Sequence, residues 1–126
     1  RMTGVLDWRW SYQYTRSTSP SGELELRRPK HTGFVGLNAS LDGWQLAVNV
    51  KRSSDISDLH FTPTPPYQAQ VSLPGYTLVS LGVRYTLSER WEWFANVENS
   101  LNESYEEVFG YRGSERQLMT GFRWLR

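Results

Sequence analysis

The chain has 126 residues, a formal net charge of +1 and no cysteine, which excludes a disulfide scaffold and gives nucleic-acid binding no support. With no apolar run of roughly eighteen residues, a transmembrane helix is excluded. A mean hydropathy of -0.59 still allows a membrane β-barrel, whose strands alternate lipid-facing and lumen-facing residues.

The opening RMTGVLDWRW has no apolar signal-peptide core, so an exported chain would have lost its leader or begun further upstream. From residue 6 to 14 the sequence alternates with period two. Leu6, Trp8, Trp10, Tyr12 and Tyr14 share one face, and Asp7, Arg9, Ser11 and Gln13 share the other, which predicts a strand with one apolar side. A long connection over 17–31 follows. The second predicted strand sets Val35, Leu37, Ala39 and Leu41 against Phe34, Gly36, Asn38 and Ser40. Asp42 and Gly43 are a two-residue hairpin signal. The third strand then sets Trp44, Leu46, Val48 and Val50 against Gln45, Ala47, Asn49 and Lys51.

After a second long connection, 53–76, the fourth strand opposes Val79, Leu81, Val83, Tyr85 and Leu87 to Ser80, Gly82, Arg84 and Thr86. Ser88, Glu89 and Arg90 turn tightly into the fifth, where Trp91, Trp93, Ala95 and Val97 oppose Glu92, Phe94, Asn96 and Glu98. A third long connection, 100–115, leads to the last strand, with Leu118, Thr120, Phe122 and Trp124 opposite Gln117, Met119, Gly121 and Arg123. Tight and long links thus alternate. Strands of about nine to eleven residues with tight turns at one end and long loops at the other have the layout of an outer-membrane barrel.

The expected fold is all-β: an antiparallel meander of about six strands forming part of a large transmembrane β-barrel. On that reading Trp8, Trp10, Leu81, Val83 and Phe122 face lipid, and Trp44, Tyr85, Trp91, Trp93 and Trp124 form an interfacial girdle at the tight-turn end. Tyr12 and Tyr14 would mark the opposite girdle. The other face, with Arg9, Gln45, Asn49, Lys51, Arg84, Glu92, Asn96 and Glu98, suits a wet lumen. Alternation with tight turns also describes a soluble sandwich or lipocalin-like barrel. A soluble β-sheet binding module with Tyr- and Pro-rich loops is therefore the alternative.

The order NVENSLNESYEEVFGY, then GSER, then QLMTGFRW resembles the C-terminal end of TonB-dependent outer-membrane receptors, most nearly the vitamin B12 (cobalamin) receptor group. Upstream, ELELRRPKHTGFVGLNASLDGWQLAVNV is similar to that family's loop and following hairpin, so the resemblance covers essentially the whole chain. It implies that residues 1–126 are a C-terminal barrel segment without a plug domain, in the bacterial outer membrane. Its partners would be outer-membrane lipid, the remainder of the barrel and plug, TonB acting through that plug, and a small-molecule ligand. The implied function is import of cobalamin or a ferric siderophore, with no nucleic acid involved. Six strands cannot close a plugged barrel of roughly twenty-two. Arg126 stands where the family usually ends in an aromatic residue, so either the native chain continues or its assembly signal is altered.

Local chemistry adds a few candidates. Asn99, Asn102 and Ser104 are turn formers, Gly110 and Gly113 let the last loop reverse, and Pro29 precedes a strand. Glu103, Glu106 and Glu107 lie beside Tyr105, Phe109 and Tyr111, which makes either a solvated loop or a ligand-facing lip where aromatics stack on a flat ligand. Tyr67 follows Pro63, Pro65 and Pro66 in a stiff segment and is a further ligand-facing candidate. His31 and His60 read as loop residues, and Asp55 and Asp58 as weak calcium candidates, so no metal site and no cofactor are expected. No nucleophile with a base, phosphate loop or carboxylate dyad occurs, and an enzyme is not expected.

Overall fold

The computed structural model describes residues 4–18 and 25–126; part of the first long connection, residues 19–24, lies outside it. Among the described residues the strands are β1 (Val5–Tyr14), β2 (His31–Leu41), β3 (Trp44–Ser53), β4 (Ile56–Phe61), β5 (Gln68–Leu73), β6 (Tyr76–Ser88), β7 (Trp91–Glu98), β8 (Glu106–Val108), β9 (Tyr111–Arg112) and β10 (Gln117–Trp124). Six of them form one antiparallel sheet in the order β1-β2-β3-β6-β7-β10. That is the expected meander. β4 with β5 and β8 with β9 are separate two-stranded hairpins inside the second and third long connections.

Turn chemistry sets the register. Asp42 and Gly43 both have positive φ, 44° and 83°, the backbone of a type I′ turn whose twist matches the flanking strands. β2 and β3 then pair from Leu41↔Trp44 to Thr32↔Ser53 with no break. The β6–β7 hairpin closes over Glu89 and Arg90, with a register shift between Thr86 and Ser88. Because each register is fixed, period-two faces on single strands become continuous rows across the sheet. Trp44, Tyr85, Trp93 and Phe122 are direct neighbours in one row. A second row runs Leu6, Ala39, Leu46, Val83, Ala95, Thr120, and a third runs Trp8, Leu37, Val48, Leu81, Val97, Leu118.

Among the described residues no second layer covers these rows. Trp10 and Phe122 are 65% and 66% exposed, whereas the buried hydrophobic side chains among the described residues are Ile56 and Leu73, paired at the base of the β4–β5 hairpin, and Tyr76 at the start of β6. A soluble sheet hides its apolar face against another layer. This one leaves that face bare, which favours lipid as its cover over the soluble alternative.

The dimensions agree with a membrane. Across the 11 residues of β2, ~3.3 Å per residue gives about 33 Å of strand, or about 25 Å of height at a tilt near 40°. The tilt can be read from the turns. Trp44 begins β3 and pairs with Tyr85, but β6 continues three residues further, to Ser88. A step of about 10 Å over two strand spacings of ~4.8 Å each corresponds to a tilt of roughly 45°.

Candidate functional site

The three long connections leave the sheet at the same end, and their contacts centre on one aspartate. Asp58 has no solvent exposure. Its Oδ1 accepts hydrogen bonds from Arg27 Nε and from its own neighbour's amide, Leu59 N, both at 2.8 Å, and its Oδ2 accepts one from Phe109 N at 2.7 Å. Arg27 has left-handed backbone (φ 59°) and donates its own amide to Ser57 O at 2.8 Å. A single carboxylate thus ties together all three connections.

Burial alone would push the Asp58 carboxyl upward in pKa. The Phe109 amide, the Arg27 side chain and the Leu59 amide outweigh burial, together with the Arg27 charge, and hold the group below its ordinary value of 3.8. The weak calcium reading of Asp58 does not fit this environment, because both its oxygens already accept hydrogen bonds. Asp55, by contrast, is exposed.

A second cluster sits where the loops meet the polar face of the sheet. Tyr76 donates its hydroxyl to Glu107, Lys51 Nζ lies 3.7 Å from the same carboxylate, and the lysine also sits 5.7 Å from the centre of the Tyr76 ring. Tyr105 packs against Tyr76, with ring centres 4.5 Å apart. A cleft opens here between Arg27, Pro29, Thr32, Lys51, Ser53, Ile56, Tyr76 and Glu107. Positive, aromatic and carboxylate groups converge in it. That chemistry can hold an aromatic or anionic ligand.

The four aromatic candidates divide into two pairs. Tyr105 closes over Gly113, where an added Cβ would overlap the ring, and Phe109 stacks on His60 at 4.7 Å. Tyr67 and Tyr111 are 62% and 75% exposed at the tips of the two hairpins. The acidic group is likewise split: Glu107 faces Tyr76, while Glu106 Oε2 accepts the Gly110 amide at 2.9 Å. Gly110 has the positive φ (80°) that a reversing loop needs, but Gly113 does not, and it supplies room instead. His31 is no loop residue: it begins β2, with Nδ1 2.7 Å from the Tyr12 hydroxyl and its ring 5.3 Å from Tyr14.

Asn99 holds the exit of β7. It has φ 48° and is 5% exposed; its Nδ2 donates to Glu103 O and Ser114 O, and its Oδ1 accepts from Glu103 N, all at 2.9 Å. Asn99→Ala should cost about 2–4 kcal/mol, three hydrogen bonds plus the left-handed backbone that asparagine tolerates. The expected outcome is rapid protease cleavage within 100–115 while the spanning strands stay protected; an unchanged cleavage rate would contradict this role.

The girdle and lipid-facing candidates all lie on one side of the sheet. Trp44 and Tyr85 pack at 4.4 Å between ring centres, Trp93 Nε1 donates to Thr120 Oγ1 at 3.1 Å, and Trp91 pairs with Trp124 nearest the tight turns. Trp8, Trp10, Leu81, Val83 and Phe122 share that side. The opposite side is polar and closely fitted. At Gly36 an added Cβ would come within 3.0 Å of Asn49 Oδ1 and 3.1 Å of Arg9 Nε. Arg123 Nη1 and Glu92 Oε1 stand 3.3 Å apart near its tight-turn end.

Two comparisons with known proteins bear on this arrangement. The family model for the TonB-dependent receptor-like β-barrel matches residues 2–100. Among solved structures, the Pseudomonas aeruginosa receptor FpvA in an iron complex with a heterologous pyoverdine superposes with a TM-score of 0.83 at 19% identity, over 94% of this chain and 17% of that one. FpvAI in complex with a pyocin gives 0.79 at 20% identity, over 94% and 17%. The ferric-catecholate import receptor Fiu from Escherichia coli gives 0.71 at 15%, over 95% and 19%. A search of curated proteins gave no match. The chain therefore spans less than a fifth of the solved receptors it resembles, and at these identities the likeness establishes fold. With a family model matched over most of its length and a sheet bare on one face and polar on the other, the chain belongs to the TonB-dependent receptor β-barrels of the bacterial outer membrane, a class of receptors rather than enzymes.

Proposed function

We propose that this chain is the C-terminal wall segment of a receptor that imports a ferric siderophore across the outer membrane, energised by TonB through a plug carried elsewhere in the receptor. The observation that carries this is the loop-end cleft, where Lys51, Arg27 and the Tyr76–Tyr105 pair converge above a polar lumen face. Ferric chelates present anionic oxygens and flat aromatic or amide groups, which such a cleft complements. The sequence resemblance pointed nearest to cobalamin receptors; FpvA and Fiu instead carry ferric pyoverdine and ferric catecholate, which supports a ferric chelate as the cargo.

In this reading Tyr67 and Tyr111 meet the ligand first from the loop tips, and Tyr105 and Phe109 hold the loops that present them. The test is uptake of radiolabelled iron chelates by iron-starved cells carrying the intact receptor, with and without TonB. Energy-dependent uptake of a ferric chelate is expected. Tyr111→Ala should weaken binding about five- to twentyfold with the barrel still folded, a typical loss for an aromatic contact. Saturable binding of cobalamin with no uptake of any ferric chelate would contradict the assignment.

A further inference from the structure

The lipid-facing side of the sheet carries polar chemistry at its loop end. Above the apolar rows, the next row reads Tyr12, Gly33, Arg52, Thr77. Arg52 Nη1 donates to Thr77 Oγ1 at 2.8 Å across the strands, which uses one of the five guanidinium donors and holds the group on this face. His31 lies two residues from Gly33 on the same face, beside Arg52 diagonally, and is braced by Tyr12 and Tyr14. The Tyr12 hydroxyl and His31 Nδ1 stand 2.7 Å apart, so the imidazole is held against Tyr12 through Nδ1. Gly33 lies between them, and an added Cβ there would meet nothing within 4 Å. The face therefore has an open notch flanked by an arginine, a histidine and two tyrosines.

The tilt places this notch at one depth. Each strand step shifts equal height by about one and a half residues, so Tyr14 on β1, His31 on β2 and Arg52 on β3 come level. An arginine at the edge of an apolar band is favourable at headgroup depth and costly below it. The nearest acids along the chain do not cancel it. Glu25 is taken up by Arg28 at 2.8 Å and by Ser17, and Asp55 lines a separate cleft with Lys30 and Arg28.

From this we infer that the Arg52–His31–Gly33 notch is a binding site for the phosphate of a lipid headgroup, with the acyl chains lying on the rows of Trp10, Val35 and Val50 below. The guanidinium fork matches phosphate geometry, and the glycine lets a phosphate oxygen approach the backbone. The inference rests on the outward orientation of this face.

The test uses the intact receptor in nanodiscs of phosphatidylcholine with a minor fraction of phosphatidic acid, with bound lipid counted by native mass spectrometry. Selective retention of phosphatidic acid is expected. Arg52→Gln should lower it about tenfold, Arg52→Lys less, and Gly33→Val should abolish it by filling the notch while suiting a strand. Equal retention by all variants would overturn the site. Displacement by millimolar inorganic phosphate as efficient as by lipid would overturn the lipid assignment. A spin label at Val50 separates the two premises: if it reports water rather than lipid, the orientation of the face has failed, and the site with it.

Discussion

Asp58→Ala should release three loops at once. In the intact receptor, amide exchange at Phe109 and Leu59 should accelerate ten- to a hundredfold, the effect of losing hydrogen bonds to a charged acceptor worth about 1.5–3 kcal/mol each. The substitution should also expose the chain near Arg27 to protease, because Ser57 O and Asp58 Oδ1 hold that arginine together. Exchange in β3 and β6 should not change. Asp58→Asn should recover part of the protection, since an amide oxygen can still accept one N–H, but its own N–H₂ would oppose Arg27 or the Phe109 amide.

The same carboxylate has a defined pH dependence. Its folded pKa lies below its ordinary value of 3.8, so the ionised form is stabilised by folding. That stabilisation is complete above the unfolded value and is lost as pH falls through the lower folded one. Loop protection should therefore persist through mildly acidic conditions and collapse only below 3.8. In Asp58→Asn the acid step attributable to this site should vanish. Loss of protection already at neutral pH would mean that the latch is not what orders the loops.

The second large effect concerns the bare face. Leu81 lies beside the midpoint of β6, in the row of Trp8, Leu37, Val48 and Val97. Leu81→Arg should put a charge against the middle of the hydrocarbon and cost about 2–4 kcal/mol of barrel stability, whereas the reverse change, Arg84→Leu, on the opposite face, should cost far less. Reversible urea unfolding in lipid vesicles measures both. Equal costs at the two positions would mean that the sheet does not distinguish lipid from lumen.

The spanning sheet was legible in the sequence because its physics is local. Period-two alternation marks each strand, and Asp42 with Gly43 fixes the turn that sets the register for β2 and β3. The strand ends were less legible: β2 starts three residues before the apolar alternation, at His31, because a histidine against Tyr12 and Tyr14 carries no hydrophobic signal. β4 and β5 were hidden for a sharper reason. The inward positions of β4 are Ile56 and Asp58, and a buried aspartate breaks the pattern by which a buried strand is recognised. Its partners Arg27 and Phe109 are 31 and 51 residues away, so only the folded chain reveals why the carboxylate is tolerated.

The site was legible in part. Tyr67 and Tyr111 stand out on the hairpin tips as loop aromatics, but Lys51 and Tyr76 belong to strand ends, where nothing in a linear pattern marks them as one cleft with Glu107. The cobalamin likeness had a similar basis. The phrases that carry it, around Asn99, Asn102 and Gly110, serve turn geometry and capping, with Asn102 Oδ1 accepting the Arg116 amide at 2.9 Å. Turns of that kind hold up loops for any cargo.

The central claim is that this sheet is a membrane wall with lipid on one face and water on the other. Spin labels placed singly at each position from 79 to 85 of the intact receptor in lipid vesicles test it most directly. Val79, Leu81 and Val83 should be accessible to oxygen and shielded from a water-soluble nickel complex, and Ser80, Gly82 and Arg84 should show the reverse. Uniform access to the nickel complex along the strand, or the opposite alternation, would contradict the account.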